Sequence, residues 1–320
     1  MKTLKIFQIL SLLIAAILCS CSKGESLGQE AEGEVYTVSL KLNGEITTSD
    51  SPLTRGTATD DLYGVLVLRL RTNINDYIVD AYGLYDNIED IKIKLKSSDT
   101  YKFVVTAVKD GKNVLYSYNI SKTHFSAPYE MEVTNTMKTG SNTALYGYFK
   151  KGTSKLIDGK KYDYPETDRF YGEIENYTPI ENGTVDINLK RVAFGLKYQV
   201  SGLTDGTLSV TINNSSRTFF SESGISSDCT SQEKIFTFLD VYSAWQYADY
   251  YTERVTVSAS WVRGIGITQD LGSKEVVIKR NKMNIVHIKL STDETDNNLG
   301  IEVETDDSMD DEDVTVKLDK

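Results

Sequence analysis

The residues best placed to do chemistry are two thiols near the start, in Leu18-Cys19-Ser20-Cys21. An aliphatic residue three before Cys21 and a small one directly before it make the spacing of a lipobox. A signal peptidase cuts that pattern just ahead of a cysteine that carries lipid. Cys19 fits less well, because Leu18 stands where the small residue is needed. The chemistry expected at Cys21 is lipid attachment to the thiol and acylation of the amine that cleavage exposes; several chains make a durable anchor where one does not. Upstream, Lys2 and Lys5 form a short positive region. The run from Ile6 to Leu18, interrupted only by Gln8 and Ser11, is too short for a permanent span and suits a signal-peptide core. An ordinary secretory peptide that contains cysteines is the other reading of these residues.

Beyond this site the catalytic constellations are missing. There is no Gly-x-Ser-x-Gly, no His-Glu-x-x-His, no P-loop and no dinucleotide glycine fingerprint. Cys229 lies in the polar run Ser226-Ser227-Asp228-Cys229-Thr230 without a basic neighbour to lower its pKa, so an inert thiol is expected. His124 and His287 are far apart and sit in no motif. A glycosidase built on two carboxylates leaves no signature in sequence and has no positive support here. The acidic run Asp306-Asp307-Ser308-Met309-Asp310-Asp311-Glu312-Asp313 lacks the glycine of an EF-type loop, which favours a solvated charge run over a calcium site. The expectation is therefore no enzyme, no catalytic residue, no metal and no cofactor.

Two further features are candidates for binding or processing. Tyr242, Trp245, Tyr247, Tyr250, Tyr251 and Trp261 concentrate aromatics that could stack on sugar rings and hold a surface glycan. A helix over 241–251 would instead pack Trp245 on a sheet, which is the favoured reading. Arg55 stands in Ser51-Pro52-Leu53-Thr54-Arg55-Gly56-Thr57, where Pro52 keeps the preceding residue extended and removes a ladder donor. Accessible extended loops of this kind are where proteases cut, so Arg55 and Gly56 flank a candidate processing site, against the reading of an ordinary surface arginine.

The elements that must position these residues are mostly strands. From Val35, residues Tyr36, Val38, Leu40 and Leu42 alternate with Thr37, Ser39 and Lys41, which predicts a strand with one wet face. Similar patterns run over 65–70, 77–85, 91–96, 101–108 and 113–118. Asp110-Gly111 between the last two predicts a tight hairpin. The stretch 119–181 is mixed, with 144–149 its clearest strand. A new series begins after Asn182-Gly183, with strands over 185–189, 191–200, 208–212, 234–239, 255–262, 275–278 and 283–290. The segment 292–313 reads as an acidic tail, and Val314, Val316 and Leu318 alternate as one last short strand. Many short strands with turn signals between them predict an all-β chain of antiparallel sandwiches. The expected divisions are a signal peptide over 1–20, a tether over 21–33, one sandwich domain over 34–183 and a second over 184–320 with its acidic tail.

Composition narrows the partners. Removing residues 1–20 takes away Lys2 and Lys5 and leaves 33 basic residues against 46 acidic, a net charge of −13. Such a surface repels a phosphate backbone, so nucleic acid is not an expected partner. Only Cys229 would remain beside Cys21 in the mature chain, so no disulfide framework within the body supports the fold, and apolar cores must.

The lipobox, the first strand, Pro52-Leu53-Thr54-Arg55, Asp60-Asp61-Leu62-Tyr63-Gly64, Ala81-Tyr82-Gly83-Leu84-Tyr85-Asp86 and Lys190-Arg191-Val192-Ala193-Phe194 together resemble the fimbrillin-like lipoproteins of anaerobic Gram-negative bacteria. The resemblance covers most of the mature chain. It implies two transthyretin-like β-sandwich domains and a lipidated, surface-exported precursor of the outer membrane that belongs to a type V pilus. It further implies cleavage after Arg55 by an arginine-specific protease, loss of the strand Val35 to Ile46, and filling of the vacated groove by a strand of another subunit. Val314, Val316 and Leu318 would then be the donor strand. The departure is the acidic 292–313 segment, which is poor material for a buried donor and favours an anchor or accessory subunit that keeps its lipid.

Overall fold

The computed structural model describes residues 33–48, 60–125, 128–140, 155–157, 160–162, 166–226, 231–263, 266–290 and 300–306. Nearly all regular structure in them is β. The first half holds β1 (Val35–Gly44), β2 (Leu62–Arg71), β3 (Asp76–Tyr85), β4 (Lys92–Lys96) and β5 (Tyr101–Val108). Five short pieces follow: β6 (His124–Phe125), β7 (Met131–Glu132), β8 (Lys138–Thr139), β9 (Lys155–Ile157) and β10 (Lys160–Tyr162). Then come β11 (Arg169–Tyr177), β12 (Thr184–Arg191), β13 (Ala193–Ser201), β14 (Thr207–Asn213), β15 (Thr218–Ile225) and β16 (Ser231–Thr237). The last four are β17 (Thr252–Val262), β18 (Thr268–Lys279), β19 (Met283–Lys289) and β20 (Gly300–Asp306). Among the described residues helix is confined to single turns and short pieces: α1 (Glu45–Thr48), a 3-10 turn at Ile88–Asp90, α2 (Gly111–Val114) and α3 (Val241–Gln246). None is long and apolar enough to cross a membrane.

The first-half sheet runs in the order β4-β1-β12-β11-β5-β2-β3-β8 and folds over a core of its own. Alternation decides what enters that core. Val38, Leu40 and Leu42 of β1 meet Ile93 and Leu95 of β4, Val185, Ile187 and Leu189 of β12, and Tyr63, Val65, Val67, Phe103 and Val105 from the opposite wall. The other faces of β2 and β5 are covered as well. Leu62, Leu66, Val104 and Val108 pack with Leu115, Phe125, Tyr129 and Met131, which is why Leu62 to Leu68 is apolar almost without break. The Tyr129 hydroxyl bonds the carbonyls of Leu62 and Thr106 at 3.0 and 3.1 Å, and burial pushes its pKa up.

The second half packs the sheet β16-β13-β19-β20 on the sheet β15-β14-β17-β18. Phe194, Leu196, Tyr198 and Ile288 face Leu208, Val210, Val255 and Val257 across that interior.

Four expectations are corrected by this arrangement. Asp110-Gly111 does not turn a hairpin: Asp110, at φ 54°, leads into α2, and 113–118 is not a strand. The Asp110 N–H bonds the Asp61 carboxylate at 2.8 Å, the Asn113 amide reaches Asp60 at 3.0 Å, and Gly111 lies on Leu62. Those contacts pull the chain across the start of β2 instead of back along β5. The mixed stretch contains the nine-residue strand β11, paired with β5. The acidic tail contains β20, because Ile301 is buried and Val303 is half-buried within it, and its backbone pairs with β19 over seven residues. Finally β12, placed by sequence in the second half, pairs in parallel with β1 and antiparallel with β11. Sheet membership changes at Val192, not after Gly183.

Gly44 ends β1 at φ +94°, and a Cβ there would overlap the Asn188 amide oxygen and come within 2.6 Å of the Leu189 carbonyl. Gly44→Ala should therefore lower stability by about 1–3 kcal/mol, read as a fall in the urea midpoint at unchanged slope.

Candidate functional site

The strand whose loss the family resemblance implies, β1, is built into the sheet on both sides. Its first residues pair antiparallel with β4, Val35 opposite Lys96 through Ser39 opposite Lys92. Its last residues pair in parallel with β12, Ser39 beside Thr184 through Gly44 beside Leu189. Val38, Leu40 and Leu42 point inward, and Ile46 of α1 is buried just beyond them. Burial of each such side chain stabilises by about 1.5–3 kcal/mol, so withdrawal of β1 would expose a deep apolar slot flanked by two strand edges.

The end of β1 reaches the second half. The positive φ at Gly44 swings Glu45 out of the strand, and its carboxylate accepts from Arg280 Nη1 at 2.5 Å and Nη2 at 2.8 Å. The same carboxylate accepts the Arg191 backbone N–H at 2.6 Å. Arg280 is buried, its Nε donating to the Ala248 carbonyl and its Nη1 also to that of Arg191.

Two more acid–arginine pairs lie beside this one. Asp168 takes both ends of the Arg191 fork, at 2.7 and 2.5 Å, and both side chains are over nine-tenths buried. Glu166 accepts from Arg217 at 3.1 Å and from the Thr237 N–H at 3.0 Å. Between them Thr237 Oγ1 donates to the Thr167 carbonyl at 2.7 Å. Glu166, Thr167 and Glu45 thus tie the first half to Arg217, Thr237 and Arg280 of the second, while Asp168 clamps Arg191 at the end of β12 within the first.

The charges at this junction respond to pH in opposite senses. Burial raises the Glu45 pKa, but the hydrogen bonds and charge of Arg280 outweigh it, and the net shift is downward. Burial dominates at Glu166, whose pKa is raised despite Arg217. A lowered folded-state pKa means that the Glu45 contribution is fully present above its unfolded value of about 4.5 and fades as pH falls through the folded one. Glu45→Gln should remove that part of the acid sensitivity. Its stability deficit against wild type, measured by urea unfolding, is expected to be largest near neutral pH and to shrink as pH falls below about 4.5.

The candidate residues named from sequence are not gathered here. Cys21, Arg55, Gly56, Cys229, Val314, Val316 and Leu318 all lie outside the described residues. The aromatic group divides. Trp261 is buried and its indole N–H donates to the Asp205 carbonyl at 2.8 Å, so it belongs to the core. Trp245, on α3, is half-buried with its edge on Tyr171 at 5.5 Å, and Tyr242, Tyr247 and Tyr250 are exposed around it. Sequence reading missed Glu45, Glu166, Asp168, Arg217 and Arg280 altogether. Among the described residues no group of three potential metal ligands comes together.

No protein-family model matches the sequence, and no curated protein does. Solved structures similar to the chain include a candidate cell adhesion protein from Bacteroides eggerthii, at 14% identity and TM-score 0.42, covering 87% of this chain and 97% of that one. They also include the tip fimbrial protein Mfa3 from Porphyromonas gingivalis, at 11% identity and TM-score 0.39, over 85% and 99% of the two chains. The fimbrial anchor protein Mfa2 from the same organism is similar at 10% identity and TM-score 0.39, over 86% and 98%. At such scores and identities the likeness is distant, and the geometry of β1 has to carry the functional reading.

Proposed function

We propose that this chain is a non-enzymatic surface lipoprotein that acts as a structural, anchor or accessory subunit of a fimbria and joins its neighbours by strand exchange. The observation that supports this reading is β1, a single apolar-faced strand seated between two others and followed by the Arg55 segment. Its removal would leave unpaired backbone and an apolar slot, which an incoming strand satisfies by β-augmentation. In this reading lipid on Cys21 holds an anchor or accessory subunit to the outer membrane with its body at the cell surface, whereas in a polymerising subunit cleavage between Arg55 and Gly56 discards the lipid with the first strand. Val314, Val316 and Leu318 form the donor that this chain offers to a neighbouring subunit, and two sandwich domains meet near Val192.

Treatment of the mature protein with an arginine-specific protease is expected to give a new N-terminus at Gly56 by mass spectrometry, release of the 21–55 segment, and strand-exchanged oligomers. Arg55→Ala should block all three. Cleavage with no assembly, even with added peptide spanning 312–320, would overturn strand exchange by this chain.

A second reading, a surface glycan-binding lipoprotein, draws on the exposed Tyr242, Tyr247 and Tyr250 around Trp245. With Trp261 in the core it rests on those tyrosines, which offer exposed π-faces. Retention of the protein on immobilised glycans, abolished by Tyr250→Ala, would favour this reading over the first.

A further inference from the structure

We propose that Arg280, with the Arg191 N–H beside it, is a receptor for one carboxylate on whatever strand fills the β1 slot. The slot therefore takes acid-ended strands: β1 itself in this structure, and in trans a strand of another subunit that carries the same apolar alternation, glycine and acid. The inference rests on the strand-exchange reading and adds the chemistry by which the slot selects its occupant.

Three observations carry it. Arg280 has only 6% of its side chain exposed, and Glu45 is the one carboxylate on it among the described residues. Its remaining protein partners are neutral carbonyls, of Ala248 and Arg191, so an occupant lacking the acid leaves a buried guanidinium uncompensated. The geometry is also particular to one spacing. Val38, Leu40 and Leu42 alternate into the core, and in a continuing strand residue 45 would fall on the outer face. Gly44, at φ +94°, breaks the alternation and delivers Glu45 to the junction. Three alternating apolar residues, a glycine two positions later and an acid directly after it form the address that the slot reads. Glu45 and Arg280 stand 235 residues apart, so this address is checked by the second half of the molecule although the strand is gripped by the first. A strand of the wrong register would bury its apolar face and still fail to present the acid.

The test uses full-length mature protein with a site for a sequence-specific protease inserted in the 49–59 segment. After cleavage, fluorescent peptides spanning 34–48 are offered as the native sequence or with Glu45→Gln, and exchange is followed by anisotropy. The native peptide should leave at least ~10-fold more slowly than the Gln peptide, and Arg280→Gln protein should release both at one rate. Equal release of the two peptides from wild-type protein overturns the receptor, as does discrimination that persists on Arg280→Gln. A double-mutant cycle of Glu45→Gln and Arg280→Gln in uncleaved protein, by urea unfolding, gives an independent check. A coupling of at least ~10-fold in the unfolding constant is expected, and independent effects overturn the receptor whether or not peptide enters. Strong coupling with no peptide entry overturns the trans occupant together with strand exchange.

Discussion

Replacing Asp168 by alanine should lower stability by about 3–5 kcal/mol, the largest effect expected from a single charged residue of this chain. The Arg191 guanidinium has 4% of its side chain exposed, and Asp168 engages its Nε and Nη2 together. Without the carboxylate the buried guanidinium, 5.3 Å from the Phe170 ring and 3.3 Å from the Asn281 oxygen, loses both bonds of its fork to an opposite charge. Water cannot restore what is lost at that depth. The cost arises from taking the bidentate carboxylate away from a buried charge and not from the net worth of the pair, so the double replacement Asp168→Leu with Arg191→Met should recover much of it. Urea unfolding of the two single variants and the double one separates these contributions. A loss below about 1 kcal/mol for Asp168→Ala would mean that the pair is solvated, as surface pairs are. The effect should also appear as loosening between the halves, because Asp168 sits in the 166–168 segment whose neighbours bond Arg217 and Thr237.

How much of this could be read from sequence depends on the range of the signal. The alternation of Val38, Leu40 and Leu42, or of Ile93 and Leu95, is local and reports a strand and its inner face directly. What alternation lacks is an address. The pattern in Val185, Ile187 and Leu189 identifies β12 but is silent on its neighbour, so sequence groups the strand with the half that follows it although its partners are β1 and β11. The Asp110-Gly111 pair failed for a related reason. A turn-prone dipeptide says that the chain bends, while Asp60, Asp61 and Leu62, some fifty residues earlier, decide where it goes. The junction was nearly illegible. Glu45, Asp168 and Arg280 are single charged residues without motif, the run around Arg191 gives no sign of its partner, and charge on its own reads as surface. Only the fold brings them together in a buried place. The one local hint was at Gly44-Glu45, where a glycine closes an alternating run and an acid follows it directly.

The same argument, that a local residue type takes its energy from distant partners, gives the second large effect. Phe194→Ala should cost about 3–5 kcal/mol. Phe194 is fully buried at the start of β13, tilted on Phe238 at 4.6 Å, stacked on Phe236 at 5.7 Å and edge-on to Phe219 at 5.7 Å. These partners come from β16, from β15 and from the residue that follows Thr237, so truncation opens a cavity between the two sheets of the second half with little chance of collapse. Phe194→Leu keeps more of the volume and should cost markedly less. The cavity also reaches the junction. The Arg217 guanidinium lies 5.9 Å over Phe194, 4.6 Å over Phe219 and 5.8 Å over Phe236, and these rings hold it where Glu166 can accept from it. Once the ring at 194 is gone, Arg217 has less to hold it in place and Glu166 gains less from it. Glu166→Gln should then cost less in the Phe194→Ala background than in wild type, a non-additivity of about 0.5 kcal/mol or more. Strict additivity would show instead that the aromatic cluster and the acid–arginine pair act independently, and that the second half does not transmit its packing to the first.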